Sequence, residues 1–297
     1  MKSKTLYGLN KHLIEMIKLL ESNKLPKVIM LSGKKGQGKF TLTHHFLSYI
    51  IDKTNYDSKN SIIKDTNNLF DNIKENYNPS VIYYNCENKK VKIEDIRNLR
   101  VNLQKSSLNN SKRFIIFDDV EHLNVNCINA LLKTIEEPTE INYFILINNK
   151  KQKILDTLKS RAIEISIFLN EKERLKVTKK ILSDKSIEQR INFENITLTP
   201  GDYLKYNQII LDNEINLEDN LTYNLDKLLK LNKVKKNTDY FNFAIHLINF
   251  YFYNEFKKYP LSNDLNDKRV NIIKKVHESN KLNLNHTNLI NEIENYI

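Results

Sequence analysis

The chain has 297 residues, of which 40% are hydrophobic and 28% charged, and a formal net charge of +11. That length allows two or three domains and the composition is that of a globular protein; no apolar run approaches the ~18 residues of a membrane span and the N-terminal stretch does not read as a secretory signal, so a soluble, cytoplasmic chain is expected. Two cysteines, Cys86 and Cys127, fit a reducing compartment and exclude a disulfide framework or a zinc-binding pair, while the positive charge suits either a polyanionic partner such as nucleic acid or solvated lysine faces.

Residues 9–22 repeat apolar side chains at helical spacing, with Leu13, Ile14, Ile17 and Leu20 on one face. Residues 28–31 read as a buried strand. It runs into Ser32-Gly33-Lys34-Lys35-Gly36-Gln37-Gly38-Lys39-Phe40, and a helix is expected over 40–51. Three of the chain's five glycines lie in that turn. Strand, glycine-rich turn and helix reproduce the phosphate-cradling pattern G-x-x-x-x-G-K-[ST]. The glycines let backbone N–H groups point inward, and Lys39 and the helix N-terminus add positive potential. Phe40 stands where Ser or Thr would hold Mg²⁺, and Thr41 faces a different direction.

Residues 52–80 read as a polar connection with one weak helix near 68–74. A short strand over 81–84 and a helix over 93–103 follow. Residues 113–119 form an apolar strand ending in Asp118 and Asp119. Residues 124–137 make an amphipathic helix with Asn124 or Asn126 as its cap and Pro138 as its end, and 143–147 is another strand. Such alternation predicts a parallel sheet covered on both faces. Beyond about residue 168 the strand signal fades. Helices are expected over 171–182 and 200–211, and helix dominates from Leu217 onward. The stretch 240–256 is the most apolar, with residues around most of the helix, which suits a core or an oligomer seam.

Asp118 is placed to orient Mg²⁺ through water, with Asp119 where a Glu would polarise the attacking water. Asp is one methylene shorter, a displacement of roughly 1.5 Å, and errors of about 1 Å can cost on the order of a hundredfold in rate. Arg161, in Leu158-Lys-Ser-Arg-Ala162, reads either as a surface charge or as an arginine finger for a neighbouring subunit's nucleotide. His44 and His45 are adjacent on a helix and point apart, so no metal pair is expected, and Cys127 reads as a packing residue. No Ser-His-Asp or Cys-His signature is present.

Asn129-Ala-Leu-Leu-Lys-Thr-Ile-Glu-Glu-Pro138 resembles the clamp-loader segment N-A-L-L-K-x-[LI]-E-E-P. Val91-Lys-Ile-Glu-Asp-Ile-Arg97-Asn-Leu resembles I-x-[IV]-[DE]-x-[IV]-R-x-L, Ser160-Arg161-Ala162 stands where S-R-C is expected, and Leu6-Tyr-Gly8 and Lys27–Gly33 also fit. These motifs span about residues 6–165 in the family's order. The chain thus resembles the bacterial DNA polymerase III clamp-loader subunits, members of the AAA+ class. The hydrolysing gamma/tau members carry G-K-[ST], an Asp-Glu pair and four zinc-binding cysteines. Here Phe40, Asp119 and the polar 52–80 segment replace them, and the lid pattern S-P-G-R has become Thr199-Pro200-Gly201-Asp202. Asn148 and Asn149 stand near the family's sensor position. Loss of the chain's own site with retention of the arginine is similar to the delta prime branch.

The resemblance implies an α/β plus all-α protein. A P-loop AAA+ RecA-like parallel sheet domain with a degenerate P-loop would span 1–167, a helical lid 168–212, and a C-terminal helical collar for oligomerisation 213–297. It implies a stator of the complex that loads the sliding clamp onto primed DNA, with no ATPase activity of its own. Arg161 would act as a finger in trans, and Gly33, Gly36, Gly38, Lys39, Asp118 and Asp119 would be relics of a nucleotide site. The partners implied are gamma/tau-like motor subunits, the clamp-opening delta subunit, the sliding clamp and primer–template DNA. Whether ATP and Mg²⁺ bind this chain stays open. The alternatives are a hydrolysing gamma/tau-like subunit, another AAA+ ATPase, or, on charge alone, a plain nucleic-acid-binding protein.

Overall fold

The strands, in chain order, are β1 (Val28–Ser32), β2 (Tyr56–Asp57), β3 (Ile62–Ile63), β4 (Val81–Asn85), β5 (Arg113–Asp118), β6 (Asn142–Asn148) and β7 (Ile163–Ser166). Five of them form one parallel sheet in the order β4-β5-β6-β1-β7. The computed structural model describes residues 3–67, 69, 78–87, 90–104, 111–136, 139–192, 197–260, 264–282, 284 and 286–294. Of the helix expected near 68–74 only Leu69 is among the described residues, and the terminating Pro138 lies outside them. The chain divides into two compact units, Met1–Asp184 with Thr199–Gly201, and Lys185–Leu198 with Asp202–Ile297.

In the first unit the sheet is accompanied by α1 (Asn10–Glu21), α2 (Lys39–Ile51), α3 (Ile93–Gln104), α4 (Val125–Ile135), α5 (Asp156–Lys159) and α6 (Glu171–Asp184). Every residue of β1 and β6 is buried, which requires cover on both faces. Successive strand residues point to opposite faces. Val28, Met30, Ile115, Phe117, Phe144 and Leu146 pack with Ile96 and Leu99 of α3 and Ile128 and Leu131 of α4. On the other face Phe46 of α2 meets Phe114 edge-on at 6.0 Å. Asn124 caps α4 by accepting the Cys127 N–H at 2.9 Å. Because the strands run the same way, the loops leaving β1, β4, β5 and β6 emerge at one edge. The register sets Asn85 beside Asp118 and Ser32 beside Asn148.

Besides the one-turn helix α5, three strands were not expected. Residues 56–63 fold back as the antiparallel pair β2–β3. A hairpin this short is marginal alone. The N-terminal segment and α2 secure it: Ile63 N donates to Lys4 O at 2.8 Å, Leu6 N donates to Ser61 O at 3.1 Å, and the Tyr56 hydroxyl lies 3.1 Å from His45 Nδ1 on α2. Among the described residues strand β7 pairs with β1 alone, and its short Ile-Glu-Ile-Ser pattern carries little apolar signal; Ile163 is 58% exposed.

In the second unit α7 (Pro200–Asn213), whose first two residues belong to the first unit, is followed by α8 (Leu221–Lys235), α9 (Thr238–Lys258), α10 (Asp264–Leu282) and α11 (His286–Glu294). The apolar helix α9 buries Tyr240, Phe241, Phe243, Ala244, Leu247, Ile248 and Phe252. Phe243 stacks on Tyr206 of α7 at 4.7 Å and Phe241 meets His277 of α10 at 5.0 Å, so much of its surface is used inside this unit. Asn237 caps it through the Asp239 N–H at 2.9 Å. Among the described residues no helix is long and apolar enough to cross a membrane.

Candidate functional site

The glycine loop joins β1 to α2. Gly38, at φ +88°, turns the chain into the helix in a conformation that side chains disfavour. A Cβ on Gly33 would come within 2.2 Å of the Ile167 carbonyl oxygen, so the loop lies flat against the neighbouring backbone. Lys39 is buried, and its Nζ donates to the carbonyls of Gly33 at 2.7 Å and Lys34 at 2.8 Å. The Gly201 N–H donates to Gly36 O at 2.9 Å.

Asp118 ends β5 and accepts a hydrogen bond from the Tyr83 hydroxyl at 3.1 Å. Tyr83 in turn packs against Phe40, ring centroids 5.6 Å apart in an edge-to-face arrangement. Burial, and after it the charge of Asp119, pushes the Asp118 carboxyl up to about 6. Burial and Asp118 also drive the Tyr83 phenol upward, so it stays a donor. Asp119 leaves the strand at φ +57° and is buried. Its Oδ1 accepts from Asn149 Nδ2 at 2.7 Å. Asn148 instead donates to Ser32 Oγ at 3.2 Å. Glu121, also buried, accepts the Asn149 N–H at 3.0 Å.

At the mouth of the loop Lys35 and Lys151 both pair with Glu87, and Lys35 Nζ stands 4.0 Å from Asp119. Burial opposes the charge on Glu87, but the two ammonium groups outweigh it and hold the carboxyl down at about 2. Lys35, likewise penalised by burial, is raised to about 12 by Glu87 and Asp119. The structure therefore brings Gly33, Gly36, Gly38, Lys39, Asp118 and Asp119 to the same C-terminal end of the parallel strands. Arg161 has other partners. It lies in the turn before β7, where Nε and Nη2 donate to Glu136 Oε1 at 2.9 and 2.7 Å and Nη1 donates to Thr157 O at 3.1 Å.

Residues 9–170 match the family model described as "DNA polymerase III, delta subunit". The chain belongs to this family. A DNA polymerase III subunit delta' of Buchnera aphidicola subsp. Schizaphis graminum is 28% identical over 157 residues, 50% of this chain and 44% of that relative. One of Buchnera aphidicola subsp. Baizongia pistaciae is 33% identical over 85 residues, 29% of this chain and 25% of the relative. The Escherichia coli DNA polymerase III subunit tau is 30% identical over 111 residues, 37% of this chain and 16% of the relative. The matches thus span less than half the length of these relatives. A DNA polymerase III gamma subunit-related protein from Thermotoga maritima superposes with a TM-score of 0.53 at 15% identity, over 96% of this chain and 100% of that chain. Together with the sheet order, this fits a P-loop AAA+ α/β fold with a helical C-terminal part.

The residues present do not fit a nucleotide-bound magnesium ion. The side chain after Lys39 is a phenyl ring without a ligand atom, and one oxygen of Asp118, Oδ2, is taken up by the Tyr83 hydroxyl. Glu87, Asp119 and His122 do bring ligand atoms within 4.8 Å of one another. Lys35 and Lys151 already neutralise Glu87, and Asn149 takes up Asp119. No metal-dependent step follows from this site.

Sequence reasoning did not single out Tyr83, Glu87, Lys35 or Lys151. Their signal is positional. Glu87, Asp118–Glu121 and Asn148–Lys151 each follow the C-terminal end of a parallel strand, where sites of α/β sheets gather.

Proposed function

We propose that this chain is the delta prime-type subunit of a clamp loader, a stator that does not hydrolyse ATP and lends Arg161 to a neighbouring ATPase subunit. The observation that carries this reading is the Phe40–Tyr83–Asp118 arrangement, in which ring packing and a phenol hydrogen bond stand where a hydroxyl–magnesium–carboxylate contact would be needed. Lys39, bonded to its own loop, and the Lys35–Glu87–Lys151 ion cluster also support it, because these cations are already neutralised or hydrogen-bonded within the chain.

A guanidinium stabilises the charge that builds on the transferring γ-phosphoryl group, and removing one costs about 10³–10⁵ in rate, or about 4–7 kcal/mol. Arg161 is 38% exposed on the side chain, which supports action outside its own subunit. The partners in this reading are gamma/tau-like motor subunits, a clamp-opening delta subunit, the sliding clamp and primer–template DNA. The net charge of +11 supports contact with DNA phosphates without base reading.

The test is Arg161→Ala in a loader reconstituted with motor and clamp-opening subunits. DNA-stimulated turnover should fall by about 10³ or more at the finger's site while the complex still assembles. Normal turnover in the assembled variant would refute the finger role. A second reading, a hydrolysing gamma/tau-like subunit, is favoured by the match to the Escherichia coli tau subunit, 30% identical over 111 residues. It requires turnover by the chain alone.

A further inference from the structure

We propose that Glu136 is a latch on Arg161, a resident carboxylate that a neighbour's phosphoryl group must displace before the guanidinium can act. The inference rests on the finger role assigned to Arg161 above. Its observation is the geometry of the pair. Nε and Nη2, the two donors along one edge of the guanidinium, both point at Glu136 Oε1, at 2.9 and 2.7 Å. Nη1 is directed to the carbonyl of Thr157 at 3.1 Å and lies 3.4 Å from Ser160 Oγ. The Nε/Nη2 edge is a planar fork that suits carboxylate and phosphate alike. A phosphoryl oxygen approaching from another subunit would compete for the donors that Glu136 now holds.

The setting of Glu136 agrees with this role. It follows the last turn of α4, and its backbone N–H donates to Leu132 O at 2.9 Å, so the carboxylate is carried on an ordered helix end. A negative charge at a helix C-terminus works against the helix dipole. Helix stability therefore does not account for a glutamate at this position, whereas the guanidinium beside it does. The side chains are 38% and 45% exposed, so neither charge is trapped. An ion pair this exposed shifts an equilibrium by no more than about fivefold. That is enough to bias the finger toward its own subunit and weak enough for a phosphoryl group with more charge to overcome.

The experiment measures ATP turnover against ATP concentration in the reconstituted loader, with the wild-type chain, Glu136→Gln, Arg161→Ala and the double variant. Glutamine keeps the length and an acceptor oxygen and removes the charge. The latch predicts that Glu136→Gln raises kcat/KM by about two- to fivefold. The gain should disappear in the Arg161→Ala background. It should also shrink at high salt, where screening has already loosened the wild-type pair. If Arg161→Ala is inactive and Glu136→Gln is unchanged or slower, the latch is wrong and the finger stands. If Arg161→Ala retains full turnover, the finger reading fails and the latch falls with it.

Discussion

Phe40 and Tyr83 meet edge to face, ring centroids 5.6 Å apart, at the point where the loop helix begins and β4 runs beside β5. In the proposed reading, the contact couples the two positions that would otherwise converge on a nucleotide's metal ion. One ring replaces the expected hydroxyl, and the other presents its own hydroxyl to Asp118. The altered residues are thus packed against each other as a structural unit.

If this reading holds, restoring the missing hydroxyl should not create ATP turnover. Phe40→Thr should remain without ATP turnover, because Tyr83 still holds Asp118 and Asn149 still holds Asp119. It should also lose the aromatic contact, at about 0.5–1.5 kcal/mol, seen as a lower urea midpoint. Magnesium-dependent turnover in this single variant would contradict the arrangement.

Asp118 should leave a mark on stability against pH. Its carboxyl is raised to about 6 by burial and by Asp119, against about 3.9 in an unfolded chain. Its contribution is therefore full below the unfolded value and is lost as pH rises through about 6. Asp118→Asn, which cannot ionise, escapes that loss. Relative to wild type, it should gain about 1 kcal/mol between pH 5 and pH 8 in urea melts. A difference that does not change with pH would show that Asp118 titrates normally.

Gly201 should be intolerant of a methyl group. A Cβ there would lie 2.6 Å from Gly36 Cα and 2.9 Å from its carbonyl oxygen, against backbone that cannot rotate away. Gly201→Ala should destabilise by about 1–3 kcal/mol, read as a lower melting temperature, with faster amide exchange across residues 36–39. An unchanged melting temperature and exchange pattern would mean that the Gly201–Gly36 contact is slack.

The sequence made the loop legible because clustered glycines in a glycine-poor chain have few uses other than a tight backbone turn. Asp118 and Asp119 were legible because two acids end an apolar strand, and the Asn124 cap because an amphipathic helix follows it. Tyr83, Glu87 and Lys151 were not legible. Their roles depend on parallel register, which sets the loops after β1, β4 and β6 side by side although they are far apart in the chain. Strand β7 was missed because an edge strand needs little apolar surface. The β2–β3 hairpin was missed because its support comes from the N-terminal segment, through Lys4 and Leu6. Arg161 stands out in the sequence by its motif alone, while Glu136, the carboxylate paired with it, emerges only from the geometry.

The central claim is that this chain does not split ATP itself, and the most direct measurement is steady-state turnover of the isolated chain with ATP and Mg²⁺. Turnover should not rise above background. A rate of roughly 1 s⁻¹ or more, ordinary for an enzyme, would contradict it.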